Sequence, residues 1–173
     1  MASTLSTSNP ALQRAVENTL RSVLALGVAV QAVDAPTTPQ IARAVQATEN
    51  RWRAIESEFG LLNSTDVARL LGSRASNTRS FTADQRKAGR VLGIRRGKSY
   101  LYPGFQFDAN GVVQTAIPTI LRLAADADWS AESTAMWLCS PSGWLADRRP
   151  VDLLATEPDA VLAAARAKFN TQW

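Results

Sequence analysis

The chain has 173 residues, of which 46% are apolar and 20% are charged, a composition typical of a folded protein rather than a disordered one. Lysine and arginine together number 19 against 15 acidic residues, so the net charge is +4. The sequence has no histidine and one cysteine, Cys139. These counts exclude histidine-dependent catalytic triads, metal sites built from histidines or cysteine clusters, and a disulfide within the chain.

The sequence also lacks a glycine-rich phosphate loop, and its acidic residues follow no known metal-binding spacing. We therefore expect a non-enzymatic protein with no catalytic residue, no metal and no cofactor. The longest apolar run, residues 23–30, is far shorter than a membrane-spanning helix, and the first residues lack the cationic region of a signal peptide. We expect a cytoplasmic protein that does not bind membranes.

The positive charge is concentrated in the middle of the chain. Residues 1–60 carry five basic and five acidic side chains, residues 61–100 carry nine basic against two acidic, and residues 101–173 carry five basic against eight acidic. The middle segment therefore has a net charge of +7, which is typical of a surface that binds the phosphate backbone of nucleic acid. A solvated basic surface without a ligand is the alternative.

Two helices are predicted before this segment. Apolar residues recur at helical spacing over residues 10–33, and a second apolar stripe predicts a helix over Pro39–Phe59 with Trp52 as a core residue. Residues 1–60 thus form an N-terminal helical segment, which either dimerises or packs on the rest of the chain.

The basic segment predicts two short helices followed by a hairpin. A helix over residues 63–72 has Asn63 or Ser64 as its cap, and a second helix covers residues 77–89. Apolar runs on either side of residues 95–98 predict a β-hairpin with Gly97 in the turn. This order is typical of a winged helix-turn-helix, whose second helix enters the major groove while the wing contacts the backbone.

The side chains of the second helix and the hairpin tip are of the types that bind bases and phosphates. We predict that the DNA-binding residues are Asn77, Thr78, Arg79, Thr82, Gln85, Arg86, Lys87, Arg95, Arg96 and Lys98.

The remaining sequence predicts further helices. Pro118 must lie in a first turn, so one helix is expected to begin near Ala116, and Ser130 is expected to cap the next. A loop follows Cys139, and a last helix is expected over residues 157–169. Cys139 is interpreted as a packed apolar residue, since no histidine is present to activate it.

A motif in this part of the chain has a known counterpart. Residues 137–154 read Trp-Leu-Cys-Ser-Pro-Ser-Gly-Trp-Leu-Ala-Asp-Arg-Arg-Pro-Val-Asp-Leu-Leu, and residues 159–165 read Asp-Ala-Val-Leu-Ala-Ala-Ala. Together they resemble the toxin-binding domain of Xre/MbcA/ParS-type antitoxins, over about residues 112–169. That family usually has a glycine pair or similar before its proline segment, where residues 146–149 of this chain read Ala-Asp-Arg-Arg.

The resemblance implies an antitoxin that neutralises a RES-domain, NAD⁺-consuming toxin by covering the entrance to its active site, and that represses its own operon. Aromatic residues and arginines are frequent anchors of protein interfaces. The predicted toxin-binding residues are Trp144, Arg148, Arg149, Phe169 and Trp173.

Most of these residues have an alternative role within the chain. Trp144 is as consistent with a core position as with an interface. Phe169 and Trp173 lie on a terminal segment that suggests docking on a partner or on a second copy of the chain, and packing on its own domain is the alternative for Trp173. The two arginines either bind partner acids or pair locally, with Asp147 or Asp152 or with nearby carbonyl groups. Trp137 is interpreted as core.

The sequence thus predicts a mainly α fold with three parts: the helical segment 1–60, a winged helix-turn-helix with a short β-hairpin over 61–107, and a helical toxin-binding domain over 108–173. The function predicted is that of an antitoxin and autorepressor that forms a homodimer on operator DNA. A stand-alone DNA-binding regulator and an interaction scaffold without DNA are the alternatives.

Overall fold

The computed structural model describes residues 38–170. Its contacts divide the chain into two units, with the boundary after Asn50. The helix predicted over residues 10–33 lies outside the described residues, and so does Trp173. Among residues 38–170, no helix combines the length and apolarity that crossing a bilayer requires.

The described fold is mainly helical, with a small three-stranded antiparallel sheet. The elements in chain order are α1 (Pro39–Phe59), β1 (Leu61–Leu62), α2 (Ser64–Leu70), α3 (Thr78–Lys87), β2 (Ile94–Arg96), β3 (Ser99–Pro103), α4 (Ala116–Asp126), α5 (Ala131–Leu138), α6 (Pro150–Leu153) and α7 (Pro158–Phe169). Short 3₁₀ turns lie at Gly104–Gln106 and Gly143–Leu145.

The predicted helix boundaries are confirmed where capping residues define them. The Asn63 side-chain oxygen accepts hydrogen bonds from the backbone N–H groups of Thr65 and Asp66, at 2.9 and 3.0 Å, and so begins α2. Ser130 caps α5 in the same way. The helix α4 begins at Ala116, as expected from Pro118.

The hairpin is confirmed as well. Strand β3 lies in the centre of the sheet, between β1 and β2, and the β2–β3 register pairs Arg95 with Tyr100. Gly97 in the turn has a φ of 61°, which L side chains rarely adopt. The turn therefore brings the basic residues of the tip next to strand β3.

One large core joins the sheet to the C-terminal helices. Ile94 of β2 and Phe105 after β3 belong to the same buried cluster as Trp52 of α1 and Leu138 of α5. The boundary predicted between residues 107 and 108 therefore does not separate two cores, because residues on both sides of it bury one apolar surface together. The core positions predicted for Trp52 and Trp137 are confirmed.

A smaller buried cluster supports the first helix of the basic segment. It contains Val67 of α2, Val91, Tyr102 of β3 and Phe107. Its members come from α2, from the sheet and from the chain around them, so the cluster packs α2 against the hairpin. This packing positions the surface described next.

Candidate nucleic-acid interface

An open groove of about 730 Å³ lies between α2, α3 and the hairpin. Three cationic side chains line it: Arg69 of α2, Arg79 of α3 and Lys98 at the hairpin turn. Asp66 also lines the groove and forms an ion pair with Arg69, Nη1 to Oδ1, at 3.0 Å. Charges from three separate elements therefore converge on one concave surface, which is the arrangement that attracts a polyanion.

The hairpin has two chemically different faces. Side chains alternate along a strand, and residues paired across two strands share a face. Arg95 and its cross-strand partner Tyr100 therefore share one face. That face also carries Tyr102, which is buried against α2, so it is the face turned toward the groove.

Arg96 lies on the opposite face, and its guanidinium is 5.6 Å from the centre of the Trp52 ring. The two hairpin arginines, both predicted to bind DNA, therefore lie on opposite faces, and the position of Arg96 disfavours its contact with the backbone that Arg95 would meet. A shift of one residue along a strand reverses the direction of the side chain, so adjacent arginines cannot share a face.

Thr82 is also placed differently from the prediction. Its side chain is fully buried, and its hydroxyl donates toward the Ser64 carbonyl oxygen at 2.7 Å and the Thr78 carbonyl oxygen at 3.0 Å. Thr82 therefore joins α3 to α2 and has no surface with which to contact DNA.

The other predicted residues of α3 have mixed environments. Asn77 is exposed, but its side-chain oxygen caps the helix by accepting from the Ser80 N–H at 3.0 Å. Gln85 accepts a hydrogen bond from Arg90 at 3.4 Å, and the Thr78 hydroxyl lies 3.4 Å from that of Thr65. Lys87 is exposed in the last turn.

Arg86 is half-buried and packs on the hairpin. Its guanidinium carbon lies 3.8 Å from the centre of the Tyr100 ring, a distance typical of a cation–π contact. Its Nε is buried and has no hydrogen-bond partner among the described residues. Arg86 therefore links the end of α3 to β3.

Only Arg79 and Lys98 of the groove were predicted from the sequence, and the missed residues include Arg69 and Tyr100. Arg69 stands three residues after Asp66, a spacing that places both on one side of a helix. The Tyr-Leu-Tyr alternation in β3 signals that Tyr100 shares a face with Tyr102. The spacing of Asp66 and Arg69 and the alternation in β3 can both be read from the sequence. Neither shows which side of the helix or strand faces the groove, because that depends on how the elements pack.

The predicted toxin-binding residues that lie within residues 38–170 have different environments. Phe169 is only 3% exposed, because its ring packs against those of Trp129 and Trp137, with centroids 4.7 and 5.1 Å apart. The expectation that Phe169 lies open for a partner is therefore wrong.

The two arginines before α6 form ion pairs within the chain. Arg148 binds Glu157, with Nη1 to Oε1 at 2.6 Å. Arg149 binds Asp152, an alternative named for it from the sequence, and also Glu58 of α1, with Nη2 to the carboxylate oxygens at 2.6 and 2.7 Å. Hydrogen bonds from Arg149 lower the pKa of Glu58 and of Asp152 below their ordinary values.

Trp144, in contrast, is 57% exposed. It stands on a loop over residues 142–148 that is closed at its base by a hydrogen bond from the Ser142 N–H to the Arg148 carbonyl oxygen, at 3.1 Å. Ala146 and Asp147 have φ values of 52° and 60°, in the left-handed region that favours glycine.

Cys139 is partly buried in the described part of the chain. Burial raises the pKa of the Cys139 thiol to about 12, so the thiol stays protonated. Within residues 38–170, no group of cysteine, aspartate and glutamate side chains is placed to hold a metal ion.

No described protein family matches the chain, and no curated protein is significantly similar to it. The chain is similar to a solved structure, the NMR structure of Rv2175c, with a TM-score of 0.56 and 25% sequence identity. The similarity covers 64% of this chain and 82% of that one.

Proposed function

We propose that this protein binds duplex DNA as a winged helix-turn-helix regulator, with α3 in the major groove and the hairpin as the wing. The observation that carries the proposal is the convergence of Arg69, Arg79 and Lys98 on one groove between α3 and the hairpin. Arg95 adds a fourth cation on the same hairpin face. A protein that does not bind a polyanion is not expected to place these basic side chains side by side, because their charges repel each other.

The test is DNA binding as a function of salt. Removing one cation that meets a phosphate is expected to reduce the slope of log affinity against log salt by about one, so R69A/R79A/K98A should reduce it by about two to three. The probe is a labelled duplex carrying the region upstream of the protein's own gene, with a scrambled duplex of equal length for comparison.

The matched control is R166A, which removes one exposed arginine of α7, outside the groove. Its slope should equal that of the wild type. Wild-type binding that is absent, or that does not change with salt, contradicts the proposal.

A second candidate function is that of the antitoxin to which the C-terminal residues point, with a RES-domain toxin as partner. The observation in its favour is the closed loop that presents Trp144. Its two left-handed residues, Ala146 and Asp147, belong to the segment 146–149 that stands in place of the antitoxin family's usual glycine pair. Fixed backbone and an exposed indole are common properties of an interface anchor.

Co-expression tests this candidate. If the product of the adjacent gene is the toxin, it should co-purify with the wild type and fail to co-purify with W144A, while DNA binding by W144A stays unchanged. The control is V112A, which trims another exposed apolar residue outside the loop. Co-purification that survives W144A, or that is absent from the wild type, contradicts the candidate.

A further inference from the structure

The contact between Arg86 and Tyr100 involves an aromatic residue of the groove, so the positive charge of the groove does not account for it. Tyr100 is 37% exposed and lines the groove beside Lys98 and Arg79, whereas Tyr102, two residues on along β3, is 1% exposed. Tyr102 is therefore part of the small buried cluster, whereas Tyr100 is exposed at the surface of the groove.

The position of Arg86 accounts for the orientation of Tyr100. The guanidinium covers one face of the ring at 3.8 Å. The aliphatic part of Arg86 packs at Gly93, where an added Cβ would lie 2.6 Å from Arg86 Cδ and 2.8 Å from Tyr102 Cε1. Arg86 is thus held along its length, and this restricts its guanidinium to the ring.

These contacts limit the ways in which Arg86 can bind phosphate. A bidentate contact can use Nε together with a terminal nitrogen, and here Nε is buried without a hydrogen-bond partner among the described residues, which leaves only the terminal nitrogens. The phenol of Tyr100, in contrast, is a hydrogen-bond donor on a surface flanked by two cations.

We infer that Tyr100 contacts the DNA backbone, donating its hydroxyl proton to a phosphate oxygen, and that Arg86 is a positioning residue acting through Tyr100. This inference rests on the proposed DNA-binding function. It assigns a contact to a residue that charge does not reveal, and it reassigns an arginine that the sequence places among the direct contacts.

The test separates neutral contacts from charged ones by their salt dependence. Y100F removes only the hydroxyl and should weaken binding by about tenfold or more, the effect of removing one hydrogen bond between an uncharged donor and a charged phosphate oxygen. The slope against salt should not change, because a hydroxyl displaces no counterion. K98M is the charged comparison and should reduce the slope by about one.

R86M keeps the aliphatic part against Gly93 and removes the guanidinium. It should weaken binding by a similar factor at unchanged slope, and should cause no additional loss when combined with Y100F. R86K provides a second variant if R86M is unstable. It should also weaken binding, because lysine keeps the charge and loses the flat surface that covers the ring.

The outcomes distinguish this inference from the function on which it rests. Y100F that binds like the wild type overturns the tyrosine contact. R86M that reduces the slope by about one, with a loss that adds to that of Y100F, or R86K that binds like the wild type, overturns the positioning role. Wild-type protein that shows no salt-dependent binding overturns the proposed function instead.

Discussion

Thr82 shows how the role of a single residue depends on its surroundings. A threonine in a helix of this segment has the chemistry to contact bases, but its hydroxyl donates to backbone carbonyls of α2 and α3. Gly93 is a comparable case, in which only a residue without a side chain fits. Arg86 and the buried ring of Tyr102 fill the space that a Cβ at this position would need.

We predict that G93A destabilises the protein by about 1–3 kcal/mol, the usual effect of overpacking a core, because the rigid Tyr102 ring cannot yield. Urea unfolding measures the change. G143A is the control, since a Cβ there meets nothing within 4 Å, and it should unfold like the wild type. Equal stability of G93A and G143A would show that the tyrosine moves freely.

At the scale of elements, the hairpin places neighbouring residues on opposite faces, and so in different surroundings. Its register places Arg95 and Tyr100 on one face, and Ile94 and Leu101 on the other, where they pack in or against the main core. In a count of charge along the sequence, Arg95 and Arg96 each contribute one positive charge and are equivalent. In the strand their side chains lie on opposite faces, because successive residues alternate.

We predict that R95A reduces the slope of DNA affinity against salt by about one, whereas R96A leaves that slope unchanged. The two variants remove the same charge from adjacent positions, so each is the control for the other. Anisotropy titrations over a range of salt concentrations measure both slopes. Equal slopes for the two variants would mean that the face of the hairpin does not determine which cations meet DNA.

At the scale of the whole molecule, the hairpin and the C-terminal helices share one core. A hydrogen bond also joins them, since the backbone N–H of Arg95 donates to the carboxylate Oε1 of Glu132 in α5 at 3.2 Å. Arg149 adds another link, from the residues before α6 to Glu58 near the end of α1. Separate removal of a DNA-binding or a partner-binding module is therefore not expected to leave the other intact.

The Arg149 network makes a pH-dependent contribution to stability. Hydrogen bonds from Arg149 lower the pKa of both carboxylates in the folded state, so their contribution is complete above the ordinary pKa values of Glu and Asp. It is lost as the pH falls through the lowered values. All three side chains are partly exposed, so solvent screening limits the contribution to about 1 kcal/mol.

We predict that R149Q lowers the free energy of unfolding by about 1 kcal/mol near pH 7, and that the difference from the wild type shrinks toward about pH 3. Urea unfolding at both pH values measures it. R122Q, which affects an exposed pair with Asp126 at 3.7 Å, is the control and should change stability little. A difference between R149Q and the wild type that is equal at both pH values would contradict the network's role.

Local features of this protein could be predicted from its sequence because their causes lie within a few residues. The caps Asn63 and Ser130, the turn at Gly97 and the start of α4 near Pro118 each depend on nearby backbone groups, and all are confirmed. The concentration of charge in residues 61–100 is likewise a property of the sequence.

The directions of side chains required the folded molecule, because they depend on partners far away in the chain. Thr82 meets a carbonyl 18 residues earlier, and Arg149 meets a carboxylate 91 residues earlier. Phe169 is buried by Trp129 and Trp137, which belong to another part of the fold. Strand register and helix packing determine these side-chain contacts. A pattern within a short segment specifies neither the register nor the packing.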